Sequence, residues 1–187
     1  MAELALQGGT IRVVRDDITR QEVDAIVNAA NAALVVGGGV DHAIHSAAGP
    51  ELDAEKRRLY PEGCATGGAV TTGAGRLPAR HVIHAVGPVW HGGRAGEDEA
   101  LASAWRSALG QALAHECRSV AFPSLSTGAY GFPVARAAAI AIAEVAKVLG
   151  APPPGGGLDV TICAFSEGDR EAYERALDSI RPSPGTG

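Results

Sequence analysis

Short apolar runs alternate along this chain with longer stretches in which apolar residues recur every three or four positions. The short runs predict buried strands, and the longer stretches predict amphipathic helices. The predicted strands are Ile11–Arg15, Ala25–Asn28, Ala69–Thr72, His81–Ala85, Ser119–Phe122 and Asp159–Ala164. The predicted helices are Gly38–Ala48, Glu51–Leu59, Glu97–His115, Pro133–Leu149 and Gly168–Ile180. Strands that alternate with helices are typical of a layered α/β domain.

Individual residues support several of these element boundaries. Pro133 just inside one helix and Gly150 just beyond it match helix start and stop signals. Thr19 and Glu22 have the spacing of a capping box, which predicts that Thr19 caps a short helix. The buried face of the helix at 97–115 is predicted to consist of Leu101, Trp105, Ala108, Leu109 and Ala112.

Two connections have the composition of loops. These are His91–Gly96 and the segment Pro152–Gly157, which holds three prolines and three glycines. Because a strand and a helix follow the second segment, it is predicted to be a surface insertion and not a linker between domains. A length of 187 residues suits one domain. We therefore expect a single domain over 1–181 and a disordered tail over 182–187.

Composition and charge limit the classes of partner. The formal net charge of −5 argues against a protein that holds nucleic acid mainly through charge, which needs a basic face. It does not exclude a small phosphorylated ligand held by backbone N–H groups. The beginning of the chain, Met1–Gln7, lacks the pattern of a secretory signal. The apolar run Ala137–Val145 is interrupted by Glu144 and is too short to span a membrane.

The cysteines and histidines predict neither a disulfide framework nor a metal site. Cys64, Cys117 and Cys163 are odd in number and widely spaced, which favours a reducing cytoplasm. His81 and His84 lie close together in the sequence, but no C-x-x-C pair or H-E-x-x-H helix accompanies them. We therefore expect a cytoplasmic protein, with no metal and no cofactor.

Two glycine-bearing loops each join an apolar strand to a helix. In the first, Asn28 and Asn31 precede Gly37–Gly39 and an acid, Asp41; the second is Pro123–Phe132. Glycine-rich loops and helix N-termini offer N–H groups to anions, and in α/β sheets such loops meet at a crevice. Either loop alone could be a simple turn. Together they favour a ligand with more than one phosphate, although neither matches a P-loop or the dinucleotide fingerprint, which disfavours a dehydrogenase.

Five ordered motifs resemble the macro domain family, specifically its MacroD-type branch. They are Asp17–Thr19, Val27–Asn31, Gly37–Asp41, Val82–Pro88 and Ser126–Phe132. The resemblance extends from about Ile11 to Ile180. It implies a three-layer α/β/α fold around a mixed, mostly parallel sheet of about six strands, and binding of ADP-ribose. Many MacroD-type domains are hydrolases that remove mono-ADP-ribose from acidic side chains of proteins or deacetylate O-acetyl-ADP-ribose.

The resemblance assigns binding roles to individual positions. Asp17, assisted by the Ile18 N–H, would accept a hydrogen bond from the adenine amino group, or Asp17 would merely support the turn before Thr19. Phe165 would stack on adenine, or it would belong to the core. Phe132 would pack on the distal ribose or brace the following helix. The loop residues expected to contact the diphosphate and the distal ribose are Gly37, Gly38, Gly39, Val40, Ser126, Thr127, Gly128, Ala129, Tyr130, Gly131 and Phe132.

The resemblance also implies the catalytic groups. Asn31 would hold the distal ribose hydroxyls, and Asp41 would orient and deprotonate a water. An acid in the first turn of a helix is also favoured by the helix dipole alone, so Asp41 has a structural alternative. Asn28 is expected to close the strand end by bonds from its side chain to the backbone. The water would attack either the anomeric carbon or the ester carbonyl.

This chain departs from the family pattern at two positions near the expected site. Asp16 stands where the family usually has glycine, and Val36 precedes three glycines where four are common. A monomeric hydrolase is the leading hypothesis, with ADP-ribosylated proteins or O-acetyl-ADP-ribose as its substrates. A non-catalytic reader of ADP-ribose is the main alternative, and an RNA-binding domain is disfavoured by the acidic charge.

Overall fold

The structure is a computed structural model that describes residues 1–182, and its architecture is a sheet between two helical layers. The strands are β1 (Ala2–Leu6), β2 (Gly9–Arg15), β3 (Ala25–Ala30), β4 (Ala69–Gly73), β5 (His81–Val86), β6 (Ser119–Pro123) and β7 (Asp159–Ala164). The helices are α1 (Gly39–Ala48), α2 (Pro50–Leu59), α3 (Glu97–Ala114), α4 (Val134–Leu149) and α5 (Glu167–Ser179). The predicted three-layer α/β/α fold is therefore confirmed.

The sheet is mixed, with parallel strands at its centre. Its strand order is β1-β2-β7-β6-β3-β5-β4. In this order the five central strands, β2, β7, β6, β3 and β5, are parallel to one another. The edge strands β1 and β4 are antiparallel to their neighbours. Strand β1 was not predicted from the sequence. Only Leu4 of this edge strand is buried, so its hydrophobic pattern is too weak to identify it.

Alternate residues of the central strands pack into two separate cores. Val27 of β3 packs with Trp105 on the side covered by α3, α4 and α5, whereas the adjacent Ile26 packs with Ile44 on the side covered by α1 and α2. Successive side chains of a strand point to opposite faces, so a strand covered on both sides is apolar along its whole length. This is why the central strands appear in the sequence as continuous apolar runs.

All five predicted helices are present, and none of their ends shifts by more than one residue. The face predicted for α3 is buried, as expected. Pro133 is the residue that precedes α4 and does not lie in its first turn. Both predicted loops, at 91–96 and 152–157, are confirmed. Of the tail predicted to be disordered, residues 183–187 lie outside the described residues.

The predicted capping box at Thr19 is wrong. Asp17 is the cap of a short 3₁₀ turn, Ile18–Arg20, and its Oδ1 accepts hydrogen bonds from the Thr19 backbone N–H and hydroxyl at 2.9 and 2.7 Å. Aspartate is a better helix cap than threonine, and Asp17 stands two residues before Thr19. The structural role that the sequence left open for Asp17 is thus confirmed.

Candidate functional site

A cavity of about 1050 Å³ opens at the carboxyl ends of the parallel strands. Its walls are the segments that follow β2, β3, β6 and β7, together with the beginning of α1 and Gly87 after β5. Ligands of open α/β sheets bind at this edge, since the loops that leave neighbouring strands converge there. The volume is at the upper end of the range for small-molecule sites and suits a dinucleotide-sized ligand.

The cavity brings together nearly all of the residues predicted for the site. Its lining includes Asp17, Ile18, Asn31, Gly37, Gly38, Gly39, Val40, Asp41, Ser126, Thr127, Gly128, Ala129, Tyr130 and Phe165. Gly131 and Phe132 are not part of the lining. Phe132 is 1% exposed and packs against Trp90, with ring centroids 4.7 Å apart. This placement agrees with the alternative in which Phe132 braces the beginning of α4.

The loop after β6 lines the cavity and contains a row of unpaired backbone donors. Among the described residues, no protein group accepts a hydrogen bond from the N–H groups of residues 126–130. Its shape is held by the Phe132 N–H, which donates to the Ser126 carbonyl at 2.9 Å, and by Ser126 itself at a φ of +65°. A Cβ on Gly87 would lie 2.1 Å from Ser126 Oγ, so any side chain at position 87 would force the Ser126 hydroxyl to move. Such a row of N–H groups provides the kind of donors that anion-binding nests use.

Asp41 is a buried carboxylate held on both oxygens. Oδ2 accepts from the Gly37 N–H and Oδ1 from Asn28 Nδ2, each at 2.5 Å, while His45 Nδ1 lies 3.3 Å from Oδ1. Burial alone raises the pKa of Asp41, but hydrogen bonds from His45, Gly37 and Asn28 outweigh it and leave the pKa below its ordinary value. Asp41 is therefore ionised at neutral pH and held in a fixed orientation. It lines the same cavity as the loop at residues 126–130.

Asn28 does not close the strand end through backbone bonds, so that prediction is wrong. Its Nδ2 donates to Asp41 Oδ1 and lies 3.2 Å from His84 Nδ1 on the neighbouring strand β5. His84 Nε2 lies 2.9 Å from Thr72 Oγ1, whose hydroxyl donates to the Gly73 carbonyl. His84 thus accepts from Asn28 and donates to Thr72, as a neutral imidazole. Asn28 is a buried support for Asp41.

The burial of His84 predicts a pH-dependent loss of stability. Desolvation, together with the nearby charge of Lys56, lowers the pKa of His84 to about 3. Below its ordinary value of 6.5 the unfolded chain binds a proton that the native state does not, so stability falls as the pH falls. Between pH 7 and pH 5.5 we expect this group to reduce the free energy of unfolding by about 1.3 kcal/mol.

Urea unfolding of the wild type and of His84→Gln at both pH values tests this expectation. The variant lacks the imidazole, so its free energy of unfolding should fall by about 1.3 kcal/mol less over the same interval. The absolute stability of the variant is not the readout, because the lost hydrogen bonds lower it at both pH values. An equal fall in the two proteins would show that His84 is protonated in the native state.

Asn31 shapes the loop that leads to Asp41. Its Nδ2 donates to the Val35 carbonyl at 2.8 Å, and its Oδ1 accepts from the Val35 N–H at 3.2 Å. One amide hydrogen and one oxygen lone pair stay available to a ligand. The residues Gly37–Gly39 follow, and Gly39 has a φ of +60°, which side-chain-bearing residues rarely adopt. The loop therefore places Asn31 and Asp41 on one side of the cavity.

At the opposite end of the cavity, Phe165 and Asp17 face solvent. Phe165 is 93% exposed, so the alternative that it belongs to the core is wrong. Asp17 uses Oδ1 for the 3₁₀ turn, and those bonds from Thr19 hold the pKa of its carboxyl below the ordinary value. Its N–H is occupied by Asp16 Oδ1 at 2.8 Å. The second carboxylate oxygen of Asp17 accepts no hydrogen bond from residues 1–182 and lies 3.8 Å from Arg20 Nε.

The sequence missed the side chains that surround Asp41. His45 could have been found, because it lies one helical turn after Asp41 on α1. Lys56 and His84 reach the same point from α2 and β5, and no local pattern signals them. The three cysteines are free thiols. Within residues 1–182 no group of three or more His, Cys, Asp or Glu side chains could hold a metal ion, and no helix there could cross a bilayer.

Comparisons with known proteins agree with this geometry. A family model for the macro domain matches residues 27–141. The macro domain-containing protein CT2219 of Chlorobaculum tepidum is 54% identical over 167 residues, which are 89% of this chain and 95% of that protein. The Oceanobacillus iheyensis macrodomain solved with ADP is 38% identical, with a TM-score of 0.88 and coverage of 96% of this chain and 95% of that one.

Two further structures extend the comparison. A point mutant of the Oceanobacillus iheyensis macrodomain, solved with ADPR, has the same identity and TM-score and covers 96% and 97% of the two chains. A Trypanosoma brucei macrodomain in complex with ADP is 39% identical at a TM-score of 0.81, over 89% of this chain and 68% of that one. The family model spans more than half of the sequence, and the relatives are similar over nearly all of it. This chain belongs to the macro domain family.

Proposed function

We propose that this protein binds ADP-ribose and is a hydrolase of the MacroD type, which releases mono-ADP-ribose from acidic side chains or deacetylates O-acetyl-ADP-ribose. The observation that carries the proposal is an ionised, buried Asp41 beside a row of unpaired N–H donors in one cavity. Relatives of this chain have been solved with ADP and with ADPR. These ligands share the diphosphate that the donor row suits.

The cavity suggests how each part of ADP-ribose is bound. The diphosphate accepts from the N–H groups of residues 126–130, which lie ready without protein partners. Phe165 and the free oxygen of Asp17 recognise adenine at the solvent-facing end. Asn31 and the loop Gly37–Gly39 border the distal ribose. The reactive end of the ligand then lies next to Asp41.

In the proposed reaction, Asp41 orients a water and accepts its proton as the water attacks. Its lowered pKa makes it a weak base in the free protein, but the nearby diphosphate of a bound ligand raises the proton affinity of a carboxylate. The N–H groups of residues 126–130 fix the ligand relative to that water. Part of the translational and rotational entropy that the reaction requires is therefore already lost when the ligand binds, which lowers the barrier of the chemical step. Positioning and proton transfer together support a hydrolase.

The direct test of the proposal is release of ADP-ribose from a glutamate-modified protein. Release in ¹⁸O-labelled water also identifies the bond that breaks, because attack at the anomeric carbon places the label in ADP-ribose and attack at the ester carbonyl places it in the glutamate carboxylate. Tight binding of ADP-ribose without release contradicts the hydrolase and supports a non-catalytic reader. Equal affinity for ADP and ADP-ribose contradicts the assignments around the distal ribose.

Asp17→Ala is expected to weaken binding of ADP-ribose about fivefold. The loss of one hydrogen bond to the adenine amino group costs about 1 kcal/mol, because the carboxylate is half exposed and water competes with the ligand. Calorimetric titration measures the change. Thr19→Val is the matched control, since it removes a bond that Asp17 makes within the 3₁₀ turn and does not alter the cavity lining. An equal loss in both variants would assign the effect to the turn.

A further inference from the structure

Lys56 of α2 is buried behind the cavity, next to the histidine that contacts Asp41. The chain has two lysines. The side chain of Lys56 is 1% exposed, whereas that of Lys147 is 67% exposed. Lysine is almost never fully buried unless its charge is paired. The ammonium of Lys56 lies 2.7 Å from His45 Nε2 and 3.3 Å from Asp53 Oδ1. An imidazole nitrogen and a carboxylate thus compensate its burial.

The contact between Lys56 and His45 defines the tautomer of the imidazole. An ammonium group has three donors and no acceptor, so His45 Nε2 must accept. The imidazole proton is therefore on Nδ1, which lies 2.8 Å from the Asp41 carbonyl and 3.3 Å from Asp41 Oδ1. His45 thus donates to Asp41 and accepts from Lys56.

The charged groups around His45 also bear on where a second proton could be placed. It faces Asp41 on its own helix, Lys56 on α2 and, across the core, His84 on β5, whose ring centroid is 6.1 Å away. A second proton on His45 would have to occupy Nε2, directly against the ammonium of Lys56. Asp53 compensates the charge of Lys56 from the other side. Like charges in contact are unfavourable, so Lys56 opposes formation of an imidazolium.

We propose that Lys56 is a positioning residue that holds His45 as the neutral Nδ1–H tautomer and thereby keeps Asp41 free of a cationic partner. A neutral donor orients the Asp41 carboxylate but leaves its charge available to a water in the cavity. An imidazolium at the same place would form an ion pair with Asp41 and make it a weaker base. The consequence for catalysis rests on the proposed hydrolase function, whereas the tautomer does not.

The tautomer is tested by long-range ¹H–¹⁵N NMR of the histidine side chains between pH 5.5 and pH 8. In the wild type His45 is expected to show a protonated Nδ1 and an unprotonated Nε2 throughout this range. In Lys56→Met the donor that makes Nε2 an acceptor is gone, so Nε2 of the same ring should no longer show the wild-type unprotonated signature throughout this range. Lys56→Arg keeps a donor-only cation and should preserve the wild-type signature. Lys147→Met is the control for loss of a lysine.

Kinetics provide the second readout. Relative to the wild type, kcat/KM of Lys56→Met for release of ADP-ribose is expected to fall, and to fall further as the pH is lowered, because Nε2 of His45 no longer faces a cation. The KM should change little, since Lys56 does not line the cavity. Lys147→Met should retain the wild-type profile.

A wild-type His45 that carries its proton on Nε2, or that titrates in this range, overturns the proposal without any variant, so misfolding of Lys56→Met cannot conceal its failure. An unchanged pH profile in a folded Lys56→Met with a titrating His45 overturns the catalytic part. If the wild type binds ADP-ribose but releases none, the proposed function fails, and the NMR measurement still decides whether Lys56 sets the tautomer.

Discussion

Replacing Asp41 with alanine is expected to slow release of ADP-ribose from a glutamate-modified protein by about 10²- to 10⁴-fold, the usual contribution of a positioned general base. Binding of ADP-ribose should be unchanged or tighter, because the variant removes a carboxylate that repels the diphosphate. A loss of turnover with retained affinity is the signature of a group that acts in the transition state. Single-turnover release and calorimetric titration on the same preparations separate the two effects.

Asp41→Asn is the matched control for this prediction. Asparagine preserves the size of the side chain and one acceptor oxygen, so it tests the base without opening a cavity. It should be as slow as the alanine variant. Release by either variant at the wild-type rate would leave Asp41 with only the structural role of an acid in the first turn of α1. A loss of affinity in both variants would assign Asp41 to binding.

Phe165→Ala is expected to weaken binding of ADP-ribose by about 1–3 kcal/mol, or roughly 5- to 150-fold, if its ring stacks on adenine. The side chain is 93% exposed at the cavity rim, so its removal should leave the melting temperature unchanged. Lower affinity at an unchanged melting temperature distinguishes Phe165 from a core aromatic, because truncation of a core aromatic lowers the stability of the fold. Calorimetric titration and thermal unfolding provide the two measurements.

Two comparisons control the Phe165 prediction. Phe165→Trp keeps a flat aromatic face and should retain most of the affinity. A ligand that ends at the diphosphate and lacks adenine should bind the wild type and Phe165→Ala equally. If the alanine variant bound ADP-ribose as the wild type does, the adenine end would have to be held by Asp17 and by the backbone near Ile18 without stacking.

The sequence predicted the central elements of the fold but not the edge of the sheet. Strand β7, Asp159–Ala164, was predicted with the bounds that the structure shows, because burial on both faces makes it apolar throughout. Strand β1 was missed, because an edge strand buries one residue and exposes others. The sequence thus predicted the strands that are buried on both faces and missed the strand that is mostly exposed.

Predictions for single side chains depended on where their partners lie. Asp17 and Thr19 are close in sequence, and yet the capping role was assigned to the wrong residue, because both can accept a backbone N–H. Asn28 was assigned to the backbone because its partners, Asp41 and His84, come from other elements. Phe132 and Phe165 are both aromatics next to strand ends, and only the structure shows that one is buried and the other exposed.

The sequence by itself determined the family, the alternation of strands and helices, and the two glycine-bearing loops, of which the first contains Asn31 and leads to Asp41. These features depend on periodicity and on motifs of neighbouring residues, which are local properties of a chain. Only the tertiary structure decided the environment of Asp41, where Asn28, His45, Lys56 and His84 converge from two strands and two helices. Such contacts join residues far apart along the chain and are made by packing, so no local pattern records them.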